Sequence, residues 1–189
     1  MRSTLCLRRE DFFRRKTTNI SFTTMALAIG VKEFFAQLSF KKARLPLTML
    51  NIKIICVGTL RENYLRDACK EYEKRLNAYC KLTTVELKDD KKLLPALADK
   101  SYKIALCIEG KELSSPDFAA LCAKAATAGQ GTISLVIGGA DGLPEEVKAA
   151  CDYRLSFSPM TFPHQLMRVI LLEQLYRALN INSNGNYHH

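Results

Sequence analysis

The sequence predicts an α/β fold, a parallel sheet with helices on both faces, and three observations carry that prediction. Short apolar runs of strand length alternate with segments whose apolar residues recur at helical spacing. One such run, 133–137, ends in a loop containing Gly138, Gly139 and Gly142, and Pro144-Glu-Glu follows as a helix start. A second run, 153–157, ends in a loop reaching Phe162, and Pro163 opens a long helix. Proline suits the first helical position because its missing N–H would be unpaired there anyway. Two strand–loop–helix units in tandem place both loops at the same edge of a parallel sheet. Open α/β sheets bind small ligands at that edge, so the site is expected there.

The remaining elements follow in order. Residues 52–57 read as the first strand, ending at Gly58. Residues 62–79 carry Tyr64, Leu65, Ala68, Tyr72, Leu76 and Tyr79 at helical spacing among many charges. A second strand covers 82–87, a short helical segment containing Pro95 covers 91–99, and a third strand covers 103–108, closed by Glu109-Gly110-Lys111. Ser114-Ser115-Pro116-Asp117 is a helix start with Ser115 as the expected cap, and the helix runs to about Ala126. Strands alternating with helices in this way imply right-handed crossovers.

Composition sets the bounds. The chain has 189 residues, 48% hydrophobic and 25% charged, which suits one domain with a real core plus an appendage. No apolar run approaches the roughly 20 residues of a membrane helix. The net charge is +9, but residues 1–48 hold 10 of the 28 Lys and Arg against 3 of the 19 Asp and Glu. That leaves 18 basic and 16 acidic residues over 49–189, a net of +2. Overall charge therefore gives the folded domain little pull on nucleic acid. Residues 1–48 are Arg-, Ser-, Thr- and Phe-rich with few acids, a transit-like composition. The alternative is that translation starts at Met49, where a strand begins at once. On either reading 1–48 is expected to be a disordered extension and 49–189 the domain. The protein is expected in the cytoplasm, or in an organelle if the extension is a transit segment.

Cysteines are seven (Cys6, Cys56, Cys69, Cys80, Cys107, Cys122, Cys151), with no Cys-x-x-Cys pair and no cluster with histidine. Cys56, Cys107 and Cys122 lie within apolar patterns and read as small buried hydrophobes. Neither zinc nor disulfides are expected, and the compartment is a reducing one. The loop at 138–142 does not match G-x-G-x-x-G, and no Lys-Ser/Thr follows it, so it is not a nucleotide phosphate loop. By itself it reads as a tight turn with glycine where φ must be positive.

The last helix, 163–179, is apolar most of the way round, as expected for a helix buried against the sheet on one side and a second subunit on the other. Its polar residues form two stripes, His164 with Arg168 and Glu173 with Arg177. One stripe is expected to serve the chain's own loop site and the other the partner's.

Several separated motifs now coincide: Val136-Ile-Gly-Gly-x-x-Gly-Leu143, Leu155-Ser-Phe-Ser-x-Met-Thr-Phe-Pro-His-Gln165, Arg168-Val, Leu172-Glu-Gln-x-Tyr-Arg-Ala178 and Tyr187-His188. The opening Ile52-x-Ile-Ile-x-Val-Gly58 and Glu71-Tyr-x-Lys-Arg-Leu76 fit the same pattern. Together they resemble the RlmH family of the SPOUT superfamily, methyltransferases acting on N3 of a pseudouridine in 23S ribosomal RNA. The resemblance spans 51–189. It implies an α/β sheet whose C-terminal segment forms a trefoil knot, a homodimer, S-adenosylmethionine as methyl donor, and 23S rRNA within the ribosome as partner. Carried over by motif, the donor site would comprise Leu106, Gly138, Phe157, Ser158, Pro159, Met160, Thr161 and Phe162. Glu173, Arg177, Tyr187 and His188 would form the substrate side. Two departures stand out: Pro159 occupies a position where the family commonly has Lys, and the connection 88–102 is short. The rival readings are a non-catalytic ribosome-associated RNA-binding module and a SPOUT enzyme acting on tRNA.

Overall fold

The computed structural model describes residues 50–187, so the extension, Met49 and His188 lie outside the described residues. Five parallel strands make one sheet in the order β2-β1-β4-β3-β5. They are β1 (Asn51–Val57), β2 (Lys81–Leu87), β3 (Tyr102–Glu112), β4 (Thr132–Ile137) and β5 (Tyr153–Ser156). The helices are α1 (Asn63–Leu76), α2 (Leu93–Ala96, preceded by a 3-10 turn), α3 (Ser115–Ala128), α4 (Glu145–Ala149) and α5 (His164–Asn182). The expected alternation is present, with α1 stopping at Leu76 rather than running on to Tyr79.

Among the described residues the two faces of the sheet carry core clusters of unequal size. Ile52, Ile54 and Cys56 of β1 and Ile133, Leu135 and Ile137 of β4 point to the face packed by α1, α3 and α5. Ile55, Val57, Ala105 and Val136 point the other way, where among the described residues Leu93, Leu97, Leu143 and Val147 close over them, with Val85, Leu87, Ala96 and Cys151 packed alongside. Alternate side chains of a strand face opposite sides, so strands buried on both faces read as near-continuous apolar runs. β2 lies at an edge and is correspondingly mixed, with Lys81, Thr83, Thr84 and Glu86 exposed.

Three local expectations are corrected. Ser114, not Ser115, caps α3: its hydroxyl accepts from the Asp117 N–H, and it donates in turn to the Asp117 carboxylate at 2.6 Å. The reciprocal Ser–Asp pair needs three-residue spacing, which Ser115 lacks. Pro144 and Pro163 are the caps themselves rather than first-turn residues, both with extended ψ (145° and 130°). β3 does not close at Glu109-Gly110-Lys111. It pairs with Leu155 first through Leu106 and again through Lys111, and 107–110 arch out between these points. A Cβ at Gly110 would fall 2.5 Å from the Leu155 backbone, so only glycine lets the arch lie this close to β5.

Candidate active site

The C-terminal ends of β3, β4 and β5 enclose a cavity of about 330 Å³. Strand order reverses between β1 and β4, so the cavity lies to one side of the switch point, over the last three strands. Its first wall is the 138–143 loop. Gly139 and Gly142 bridge each other, with the Gly142 N–H donating to the Gly139 carbonyl at 3.2 Å. A Cβ on Gly138 would sit 2.2 Å from the Gly142 oxygen, so the turn closes only over glycine. Positive φ is needed at Gly142 alone in this loop. Leu143 anchors the turn in the thinner core.

The second wall is the loop leaving β5. The Ser156 hydroxyl accepts from the Ser158 N–H at 3.3 Å and donates to the Ser158 carbonyl, and the Ser158 hydroxyl accepts from the Met160 N–H at 3.0 Å. Short serine side chains thus satisfy the backbone of a loop that has no strand partner there. Phe157 packs edge-on against Phe118 of α3, centroids 6.1 Å apart. Met160, 70% exposed, overhangs the mouth.

Of the residues that the resemblance assigns to a donor site, Leu106, Gly138, Phe157, Ser158, Met160, Thr161 and Phe162 line this cavity and Pro159 does not. Three contributions were missed. The arch of β3 brings in Cys107, Ile108 and Glu109, α4 brings Lys148, and the start of α5 brings Met167 beside His164, whose stripe was one of the two expected to serve a loop site. Nothing in the local sequence marks Lys148, because its place depends on how α4 crosses the sheet. Its ammonium is hydrogen-bonded to the Glu109 carboxylate, which raises the Lys148 pKa and lowers that of Glu109. Cys107 is half-exposed in the wall rather than a core residue, though desolvation still pushes its thiol pKa up.

The residues expected on the substrate side assemble elsewhere. Arg177 donates to Glu173 Oε1 from Nε (3.1 Å) and Nη2 (2.7 Å), and this pairing raises its pKa. The Arg177 guanidinium lies over the Tyr187 ring at 4.8 Å, and Tyr187 packs edge-on against Tyr176 at 4.7 Å. The tail reaches this position by turning back through Asn184, at positive φ. Asn180 fixes the turn, its carbonyl accepting from the Gly185 N–H and its side-chain oxygen from the Tyr187 N–H at 3.0 Å. Glu173, Arg177 and Tyr187 are therefore brought together, while His188 lies outside the described residues.

The two stripes on α5 do not behave alike. His164 reaches the cavity, but Arg168, only 3% exposed, turns away to Glu86 (2.5 Å) and the Gly58 carbonyl. Arg168 is thus a tie between α5 and the ends of β1 and β2, not a loop-site residue. No cluster residue lines the cavity: from Met167 to Arg177 the helix advances ten residues, roughly 15 Å at its usual rise. Among the described residues no helix is long and apolar enough to cross a membrane, and no group of acidic, His or Cys side chains is placed to hold a metal.

Residues 50–188 match the family described as predicted SPOUT methyltransferase. A protein from Clostridium novyi (strain NT) named ribosomal RNA large subunit methyltransferase H is 48% identical over 158 residues, covering 74% of this chain and 99% of that one. Its namesake from Clostridioides difficile (strain 630) is 44% identical over the same shares. Among solved structures, a probable methyltransferase from Bordetella pertussis Tohama I aligns with a TM-score of 0.49 at 13% identity, over 69% of this chain and 95% of that one; nothing below rests on so loose a likeness. The family match runs from the first strand to the tail, and the relatives are matched over nearly their whole length: the chain belongs to the SPOUT methyltransferase family.

Proposed function

We propose that this protein transfers a methyl group from S-adenosylmethionine to N3 of a pseudouridine in 23S rRNA, on the assembled ribosome. The names of its relatives support the substrate class, and the cavity carries the reading. The cavity's volume is that of a small-molecule site. Its walls are loop backbone and apolar side chains, with Ser156, Ser158, Thr161, Asp141, His164 and the Glu109–Lys148 pair as the polar lining, and its glycine loop lacks the Lys-Ser/Thr of a phosphate loop. S-adenosylmethionine carries no phosphate, so this set of groups fits it. Gly138, Leu106 and the stretch Phe157, Ser158, Pro159, Met160, Thr161 and Phe162 would hold it, Pro159 by shaping the loop rather than by contact.

The bound donor supplies an electrophilic methyl on a sulfonium sulfur. Transfer would form an N3–C bond as the C–S bond breaks, the sulfur leaving as a neutral thioether and the imide proton passing to a base or to water. Arg177, fixed by Glu173, is suited to bind a carbonyl oxygen on which the resulting negative charge spreads. Tyr187 and His188 are assigned to hold the base. The separation along α5 is too large for one chain's cluster to serve its own cavity, so the working site is proposed to combine one subunit's cavity with its partner's cluster. The row Leu166, Val169 and Ile170, exposed or half-exposed and apolar, is the proposed dimer face of α5. The C-terminal segment is proposed to be threaded as a trefoil knot, as the family resemblance implies. The folding unit is proposed to begin at Met49.

A labelled methyl-transfer assay comparing assembled ribosomes, free subunits, naked rRNA and tRNA tests the function. Transfer to ribosomes is expected; transfer to tRNA alone overturns the substrate, and absence of both donor binding and transfer overturns the enzyme. For the shared site, mixing Gly138→Val with Arg177→Ala subunits is expected to restore about one working site per heterodimer. No recovery in verified heterodimers rejects it.

A further inference from the structure

The motif Glu71-Tyr-x-Lys-Arg-Leu76 on α1 has no part in the account above, yet it lies against the cluster on α5. Arg75 donates to Glu71 Oε1 from Nε at 2.9 Å, and its Nη2 lies 2.9 Å from the same oxygen. Its guanidinium sits over the Tyr72 ring at 5.4 Å and the Tyr176 ring at 5.9 Å. Tyr176 in turn packs on Tyr187, and Arg75 lies within electrostatic reach of Tyr187. α5 carries the same device: a glutamate four residues before an arginine, pinning the guanidinium over a tyrosine ring. Two neighbouring helices thus present matched Glu–Arg pairs to one group of tyrosines.

A Glu–Arg pair at this spacing on an exposed helix contributes little, being screened by water, and Arg75 in the last turn also suits the helix dipole. Neither effect needs the guanidinium held against two rings. That arrangement orders a flexible side chain and leaves it with one open edge. Nε and Nη2 face Glu71, the rings of Tyr72 and Tyr176 lie against the group, and Nη1 has no hydrogen-bond partner among the described residues. The side chain is 41% exposed. What remains is a planar, permanently charged donor edge, the geometry that suits a phosphate oxygen. In a domain with a net charge of only +2 over 49–189, such placed cations must supply what the overall field does not.

Resting on the functional reading above, we propose that Arg75 is an RNA-binding residue whose open edge holds a phosphate of the rRNA strand next to the target base, with Tyr72 and Glu71 positioning it. The test is steady-state methyl transfer to assembled ribosomes by the full-length wild type, Arg75→Ala and Arg75→Lys, across a salt series, with donor affinity by calorimetry. Arg75→Ala should raise KM about tenfold, the scale of one charge-assisted hydrogen bond, with kcat within about twofold. It should leave donor affinity unchanged and flatten the plot of log KM against log salt by about one unit of slope. Arg75→Lys should recover the slope and part of the KM. An unmoved KM and salt slope in Arg75→Ala, beside a wild type that works, overturns the proposal alone. So does a fall in kcat and melting temperature with the slope intact, which marks a purely structural arginine. A wild type that transfers nothing to ribosomes overturns the functional reading and this proposal with it.

Discussion

At the start of α5 the cavity is walled mainly by loop backbone and apolar side chains, with the Glu109–Lys148 pair at one side, whereas toward the helix's end the cluster consists of tyrosine rings and guanidinium groups held by carboxylates. The first region is specified by where chain segments can approach one another: Gly138 inside its turn and serines that bond their own loop. The second is specified by side-chain pairs at four-residue spacing and by the tail that folds back over them. A backbone-built site tolerates little change in shape but is largely indifferent to charge. A side-chain site loses its chemistry atom by atom while the fold around it stands.

The largest effect should come from the turn. Gly138→Val drives a branched side chain into the Gly142 carbonyl, so the loop must open and the cavity wall with it. Donor affinity is expected to fall by more than about 100-fold, or about 2.7 kcal/mol, in calorimetry. The collision is within the loop rather than with the ligand, so the melting temperature should drop too. Unchanged donor binding would mean that the cavity is not the donor site.

Next in size is Arg177→Ala. It is expected to cut kcat on ribosomes on the order of 10²–10³-fold, as for loss of a group that stabilises developing charge, while donor affinity stays at the wild-type value. A matching loss of donor binding would erase the contrast between the two ends of the helix.

Arg168→Met sharpens the comparison from between them. The Gly58 carbonyl loses a donor, and Glu86, partly exposed, can recover water. Chemical denaturation should show a loss of about 1–3 kcal/mol, with donor affinity and kcat retained while the protein is folded. A specific loss of methyl transfer would return Arg168 to the site.

The smallest effect is expected from Ser114→Ala, which removes the cap of α3 at about 1 kcal/mol and touches neither region. Equal denaturation midpoints for mutant and wild type would show the cap to be redundant.

The sequence by itself determined the alternation of strands and helices, the loops at the ends of β4 and β5, and the pairing of Glu173 with Arg177. Each is a local matter: apolar periodicity, turn residues, and a four-residue step along one helix. The stretch 157–162 is continuous in sequence and follows a strand directly, which is why its place at this edge of the sheet was legible in advance. Only the tertiary structure decided the rest. The arch of β3 places Cys107 and Glu109 in the wall because β5 pairs with that strand at two separated points, a register no local pattern encodes. Arg168 looks like a partner of His164 on a helix diagram, but burial under β1 and β2 sends it to Glu86 instead. Arg75 and Tyr187, more than a hundred residues apart, come near each other through Tyr176 because α1 and α5 share one face of the sheet. Spacing along a chain fixes which side chains share a helix face, but which face meets which is settled only when the whole core closes.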